Sequence, residues 1–203
     1  MMESIETKIF RKIKRSKNGR LFFTNMFKKF GTEKAIGKAL ERLVHKGKLH
    51  RISAGIYALP EFSELHGGAI LPTIDEIALA IAKRDKARIA PTGSYAQYKL
   101  GLTTQVPMNV VFYSDTSARI IKIGKRSIKF KKASSRNLAY KGEISTLAIQ
   151  AFRSIGEGLL TDEEVKHVKA ILQNEDPKFL QHDLMLAPVW IKSLLTSNTA
   201  ENE

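Results

Sequence analysis

Apolar residues recur at helical spacing in Ser4–Lys14, where Ile5, Ile9, Phe10 and Ile13 share a face, and again in Thr32–Lys46, where Ile36, Leu40, Leu43 and Val44 do. Lys17–Arg20 carries turn chemistry, Leu21–Phe23 is short and strand-like, and Thr24 is placed to cap a brief helix ending at Gly31. Thr32 can cap the second long helix through its hydroxyl, and Gly47 can close it in the left-handed conformation that glycine adopts cheaply. A hairpin follows over Lys48–Pro60, with Gly55 at its turn. Its Leu49, Ile52, Ile56, Tyr57 and Leu59 are directed at the helices, and Pro60 ends the strand. Helix, strand, helix, helix and hairpin in this order predict a winged helix-turn-helix over residues 3–62.

The pattern changes after Pro60. Glu61–Leu71, with Gly67-Gly68, reads as a linker, and a second domain is expected over residues 72–195. Thr73 opens a helix that ends near Arg84, Arg88–Pro91 is extended, and Thr92–Leu100 is a helix closed by Gly101. Asn109–Tyr113 is a buried-strand candidate. Arg119–Ile123 and Arg126–Lys131 flank Gly124-Lys125 as a hairpin, with Ile121, Ile123, Ile128 and Phe130 on one face and Lys122, Ser127, Lys129 and Lys131 on the other. Helices are expected at Glu143–Ile155, Thr161–Gln173, briefly after Pro177, and at Pro188–Leu195, with Met185, Leu186, Val189, Trp190 and Ile191 in the core of the last. Residues 196–203 are expected to be a disordered tail. The predicted class is α/β (α+β): an N-terminal winged helix-turn-helix, then a mixed α/β domain with a helical C-terminal part.

Charge adds a functional dimension. The chain of 203 residues carries a net charge of +14. Residues 1–62 hold 15 basic and 5 acidic side chains, residues 63–118 hold 5 and 5, residues 119–156 hold 10 and 1, and residues 157–203 hold 4 and 9. Two separate basic regions of this kind concentrate polyanions, which makes salt-sensitive nucleic-acid binding the first inference. On the helix Thr32–Lys46, Lys34, Lys38, Glu41 and His45 fall in one row opposite the apolar stripe, where a recognition helix meets a DNA groove. Lys48, His50 and Arg51 face outward on the hairpin, near phosphates or as ordinary surface residues. In the second region Lys122, Lys125, Arg126, Lys129, Lys131 and Lys132 form a candidate antitoxin or nucleic-acid surface, the alternative being that they keep an exposed strand soluble. The absence of cysteine excludes a disulfide framework. Met1–Glu6 does not resemble a signal peptide, and the longest uncharged run, Leu100–Ser114, is broken by polar residues and proline, so a cytoplasmic protein without a membrane span is expected.

Catalytic chemistry finds little support. Thr92-Gly93-Ser94 is similar to the glycine-serine element of nucleotidyltransferases, but that chemistry needs paired carboxylates for metal ions. Asp115 is the only carboxylate between Lys86 and Gly142, so the triplet reads as a helix cap. The histidines His45, His50, His66, His167 and His182 lack metal-ligand spacing, and no nucleophile elbow is present. We therefore expect no catalytic residues, no metal and no cofactor.

Ala54-Gly55-Ile56-Tyr57, Ile89–Ala96 and Leu100–Pro107, following a winged-helix pattern, resemble the AbiEi-like antitoxins of type IV toxin-antitoxin, or abortive infection, systems over about Ser4–Ile155. Leu100 stands where many members have a histidine, and no role of that histidine is carried over. The resemblance implies an N-terminal domain that binds repeated sites in its own promoter as an autorepressor. It also implies a second domain that counteracts a nucleotidyltransferase-like toxin without a stable complex. A winged-helix transcription factor whose second domain binds a ligand or protein is the alternative, with a nucleic-acid-modifying enzyme a more distant one.

Overall fold

The computed structural model describes residues 3–16, 21–63 and 68–197. The chain divides into two compact units. One comprises the residues up to Ile81 together with Lys122–Gly124, and the other comprises Ala82–Ile121 together with the chain from Lys125 on. Both helices and strands contribute throughout, as an α/β class requires.

In the first unit, helix α1 (Ile5–Lys14) is capped by Ser4, whose hydroxyl accepts from the Thr7 amide. Strand β1 (Leu21–Phe23) leads into a 3-10 helix, Thr24–Phe30, and then helix α2 (Glu33–His45), capped by Thr32 accepting from the Ala35 amide. Strands β2 (His50–Ser53) and β3 (Ile56–Ala58) follow, and the three strands form an antiparallel sheet in the order β1-β3-β2. Ile9, Ile13, Phe22, Phe27, Ile36, Leu40, Leu43, Leu49 and Tyr57 make one core. Gly47 and Gly55 have φ of +66° and +70°, the left-handed turns expected of them. Thr24 departs from expectation. It is the first helical residue, one position past the cap, and its amide donates to the Gly55 carbonyl at 3.1 Å, which ties the 3-10 helix to the β2–β3 turn.

Glu61–Leu71 is not an irregular linker. Strands β4 (Glu61–Ser63) and β5 (Gly68–Ile70) pair antiparallel, a hairpin too short and glycine-rich to leave an alternating pattern. The expected turn Lys17–Arg20 and the Gly67 position lie outside the described residues, as do residues 198–203.

Helix α3 (Ile74–Asp85) begins with a reciprocal capping box: the Thr73 amide donates to Glu76 and the Glu76 amide to the Thr73 hydroxyl. A four-stranded sheet has the order β6-β7-β9-β8, with β6 at Ile89–Thr92, β7 at Asn109–Ser114, β8 at Arg119–Ile123 and β9 at Arg126–Lys132, all of it in the second unit except Lys122 and Ile123. β6 runs antiparallel to β7, whereas β9 runs parallel to β7 with Phe112 opposite Phe130. Helix α4 (Ser94–Lys99) lies between β6 and β7 in the chain, and Tyr95 packs edge-on against Phe112 at 5.7 Å. Helices α5 (Glu143–Ile155), α6 (Asp162–Leu172), α7 (Pro177–Leu186) and α8 (Val189–Thr196) complete the unit around Leu147, Ala148, Phe152, Val168 and Ile191. Thr161 and Glu164 form a capping box for α6, and Asp176 with Pro177 starts α7, which runs a full ten residues.

Thr92-Gly93-Ser94 does sit at a helix cap, with Gly93 at φ +64° as the N-cap of α4, but no side chain caps it: Thr92 ends β6 and its hydroxyl donates to Gln150 Oε1. Met185 and Val189 are 64% and 84% exposed, so only Ile191 of that group is fully buried. Thr196 is helical, and Ser197 is held by Lys169, whose Nζ lies 2.6 Å from its carbonyl oxygen, so the ordered chain extends past residue 195. No helix among the described residues is long and apolar enough to cross a membrane.

Candidate nucleic-acid interface

The buried stripe of α2 (Ile36, Ala39, Leu40, Leu43) fixes its rotation, and Lys34, Lys38, Glu41 and His45 therefore all lie on the exposed side. At the C-terminal end of this row, Glu41 and His45, with Val44, line a 480 Å³ cleft with Arg51 of β2 and Tyr57 of β3. The strand pair thus brings Arg51, opposite Tyr57 in register, beside the helix row. A bulge at Ile52 breaks the β2–β3 register between Arg51 and Ser53, which lets Ile52 turn inward while His50 and Arg51 both stay exposed. Burial raises the Tyr57 phenol above its ordinary pKa, so it stays a neutral donor at this cleft.

Not every cation of α2 is available. Arg42 and Lys46 both reach Glu6 of α1, at 2.9 and 2.5 Å, and these two, Lys46 foremost, hold the Glu6 carboxyl below its usual range. Lys48 is also engaged, with Nζ 4.8 Å from the centre of the Phe10 ring. It is exposed but leans on α1. These pairings were invisible in sequence because they join residues some forty positions apart.

A second set of cations was also passed over. Lys8, Arg11, Lys12 and Arg15 have the i, i+3, i+4, i+7 spacing of one helical face, which was legible, and the fold adds Lys29 from the 3-10 helix, which was not.

In the β8–β9 hairpin, the turn residue Gly124 has φ +57° and the alternation is as expected: Lys129, Lys131 and Lys132 are exposed on β9, and Lys122 is exposed on β8. Lys125 is exposed at the turn. Arg126 is half-buried and donates to the Pro107 carbonyl at 3.4 Å, which makes it a support of the β7 approach more than a free surface cation. Parallel pairing sets Lys129 beside Val111 and Lys131 beside Tyr113, so the basic row borders a half-buried aromatic ring. On the opposite face Phe112 and Phe130 pack at 6.1 Å, and Arg119 lies over Phe130 while pairing with Asp85.

The start of α5 carries a polar cluster that sequence reading did not find. Asp183 of α7 is fully buried and accepts from the amides of Lys141 and Gly142 (2.8 and 2.9 Å), the Ser145 hydroxyl (2.6 Å) and His182 Nδ1 (2.8 Å). Glu175 accepts from the amides of Ile144 and Ser145 at 2.7 and 3.0 Å. A Cβ on Gly142 would collide with Ser145 Oγ and Glu175 Oε2, so only glycine fits there. Serine, histidine and aspartate meet here, but the serine hydroxyl donates to the carboxylate and not to the imidazole. The two carboxylates together hold the amides at the start of α5, a helix N-terminal clamp. Among the described residues no group of three or more His, Asp or Glu is placed to hold a metal ion.

Comparison with known proteins gives a family and no activity. No curated protein matches. Among solved structures, the crystal structure of the RV2827C protein from Mycobacterium tuberculosis matches with a TM-score of 0.48 and 12% identity over 100% of this chain and 84% of that one. A family model described as a family of unknown function, DUF6088, matches residues 8–180. The match spans both units, from α1 into α7, and the chain belongs to the DUF6088 family.

Proposed function

We propose that this protein is a DNA-binding autorepressor and antitoxin: its first unit is a winged helix-turn-helix that reads its own promoter, and its second unit counteracts a nucleotidyltransferase-like toxin. The observation that carries the DNA-binding half is the exposed row Lys34, Lys38, Glu41 and His45 on α2, flanked by Arg51 on a two-stranded wing. Element order and the β1-β3-β2 sheet agree with that reading. The purified protein is expected to bind its upstream region in a mobility-shift titration, with affinity falling steeply as salt rises. Replacing Lys34 or Lys38 should cost about 1 to 3 kcal/mol and relax sequence preference, whereas Arg51→Gln should mainly flatten the salt slope, by about one. Equal affinity for the upstream region and a random duplex at moderate salt sinks the repressor reading.

The antitoxin half is supported by the resemblance of Ile89–Ala96 and Leu100–Pro107 to AbiEi-like antitoxins and by the separate basic row on β9. Lys122, Lys129 and Lys131 are exposed while Ile128 and Phe130 carry the packing, so Lys122→Glu, Lys129→Glu and Lys131→Glu together should leave the fold intact, at about 0.5 kcal/mol per site. Promoter binding should persist and rescue of cells from a co-expressed toxin should be lost. Full rescue at equal abundance moves the antitoxin function to another surface of this unit.

A further inference from the structure

The cleft between α1 and the 3-10 helix Thr24–Phe30 is a concentration of positive charge that the recognition row does not use. It is an open cleft of about 440 Å³ lined by Lys8, Arg11, Lys12, Arg15, Lys29 and Phe30, with Ser16 at its end. Of these cations only Arg11 is paired with a carboxylate among the described residues, Glu3 at 2.7 Å. Lys12 is built into the wall. Its Nζ donates to the Met26 carbonyl at 2.5 Å and lies 5.4 and 5.9 Å from the centres of the Phe27 and Phe30 rings. Lys29 lies 5.4 Å from the Phe30 ring on its other contact. Clustered cations of this kind raise the local positive potential and favour a polyanion, while the aromatic rings hold Lys12 and Lys29 in place.

The shape of the array indicates which anion. Lys8 to Arg15 runs along two turns of α1, about 10 Å, while a nucleic-acid strand carries a phosphate about every 3.4 Å of helix axis. Cations spread over that length match successive phosphodiesters of one strand better than a compact anion, which would leave Lys8 or Arg15 unanswered. We infer that the α1 cleft is a phosphodiester-backbone site, a second nucleic-acid contact of the first unit that adds affinity without reading sequence. It rests on the reading of this unit as a nucleic-acid-binding module, and it makes the footprint larger than α2 and the wing alone would give.

The test is a salt titration by fluorescence anisotropy on the full chain, with the protein's upstream duplex and a random duplex of equal length. Lys8→Gln, Arg15→Gln and Lys29→Gln together should make the slope of log affinity against log salt shallower by about two to three, equally on both duplexes, and leave their affinity ratio unchanged. Lys12 and Arg11 are left in place because they are packed or paired. The charge-conserving variant Lys8→Arg, Arg15→Lys and Lys29→Arg should keep the wild-type slope. If circular dichroism shows that the triple variant is unfolded, Lys8→Gln and Arg15→Gln are measured singly, each with an expected change of about 0.9. An unchanged slope in folded variants, with wild-type binding intact, overturns the cleft and leaves the α2 reading standing. Failure of the wild-type protein to bind either duplex at low salt overturns both. Displacement of the duplex by micromolar nucleoside triphosphate, abolished in the triple variant, overturns the strand assignment in favour of a compact anion.

Discussion

Asp183→Ala is expected to lower the free energy of unfolding by about 3 to 5 kcal/mol, a large share of the stability of a domain this size. The side chain is fully buried, and its two oxygens answer four donors: two backbone amides ahead of α5, the Ser145 hydroxyl and His182. Alanine removes the negative charge at the positive end of the helix, leaves the Gly142 amide without its side-chain acceptor, and leaves the Ser145 hydroxyl only a long contact of 3.5 Å to Glu175 Oε2. Urea unfolding followed by circular dichroism should give a lower midpoint at unchanged slope, the mark of a stability change without a change in compactness. Asp183→Asn should fall between, since it retains one acceptor and turns its NH2 group toward donors. A loss below about 1 kcal/mol for the alanine variant would show that water replaces the carboxylate and that Glu175 alone holds the helix end.

Phe27→Ala should be as damaging in the other unit. Phe27 is 0% exposed, stacked with Phe30 at 6.4 Å and covered by Lys12, so truncation leaves a cavity that rigid neighbours on α1 and α2 fill poorly, at a cost of about 3 to 5 kcal/mol. Because the chain divides into two compact units, the effect should be confined. Calorimetry is expected to split into two transitions, with the first unit melting about 12 °C or more below its normal temperature and the second nearly unmoved. DNA binding should be lost at the first transition. A single transition displaced as a whole would mean that the units unfold as one cooperative body.

The periodic elements were readable and their partners were not. α1, α2, α5 and α6 lie close to the expected Ser4–Lys14, Thr32–Lys46, Glu143–Ile155 and Thr161–Gln173, because an apolar stripe, and for α2 the Thr32 cap, are local features of the chain. The hairpin at Gly124 was equally local. By contrast, nothing within Asn109–Ser114 announces that its neighbour is β9 in parallel, since a buried strand reads the same whichever strand lies beside it. The candidate interface divided along the same line. Exposure of Lys34, Lys38 and Lys129 follows from period alone, but the withdrawal of Arg42, Lys46, Lys48 and Arg126 into internal contacts depends on Glu6, Phe10 and Pro107, which only folding brings near. The Asp183 clamp escaped for the same reason. Its carboxylate lies on α7 and its donors at the start of α5.

The place of β9 between β7 and β8 has a consequence for a chain still on the ribosome. Ile128 and Phe130 are almost completely buried, yet they are translated after every other strand of the sheet. Until Lys132 has been made, the hydrogen-bonding edge of β7 that β9 will occupy stays open. At ordinary elongation rates of about 5 to 20 residues per second, this interval lasts on the order of one to four seconds after Ser114 is added. A stop codon within 115–131 would release a chain with that edge uncovered, and a pause there would prolong its exposure, so such truncated products should be the ones that chaperones retain or proteases remove.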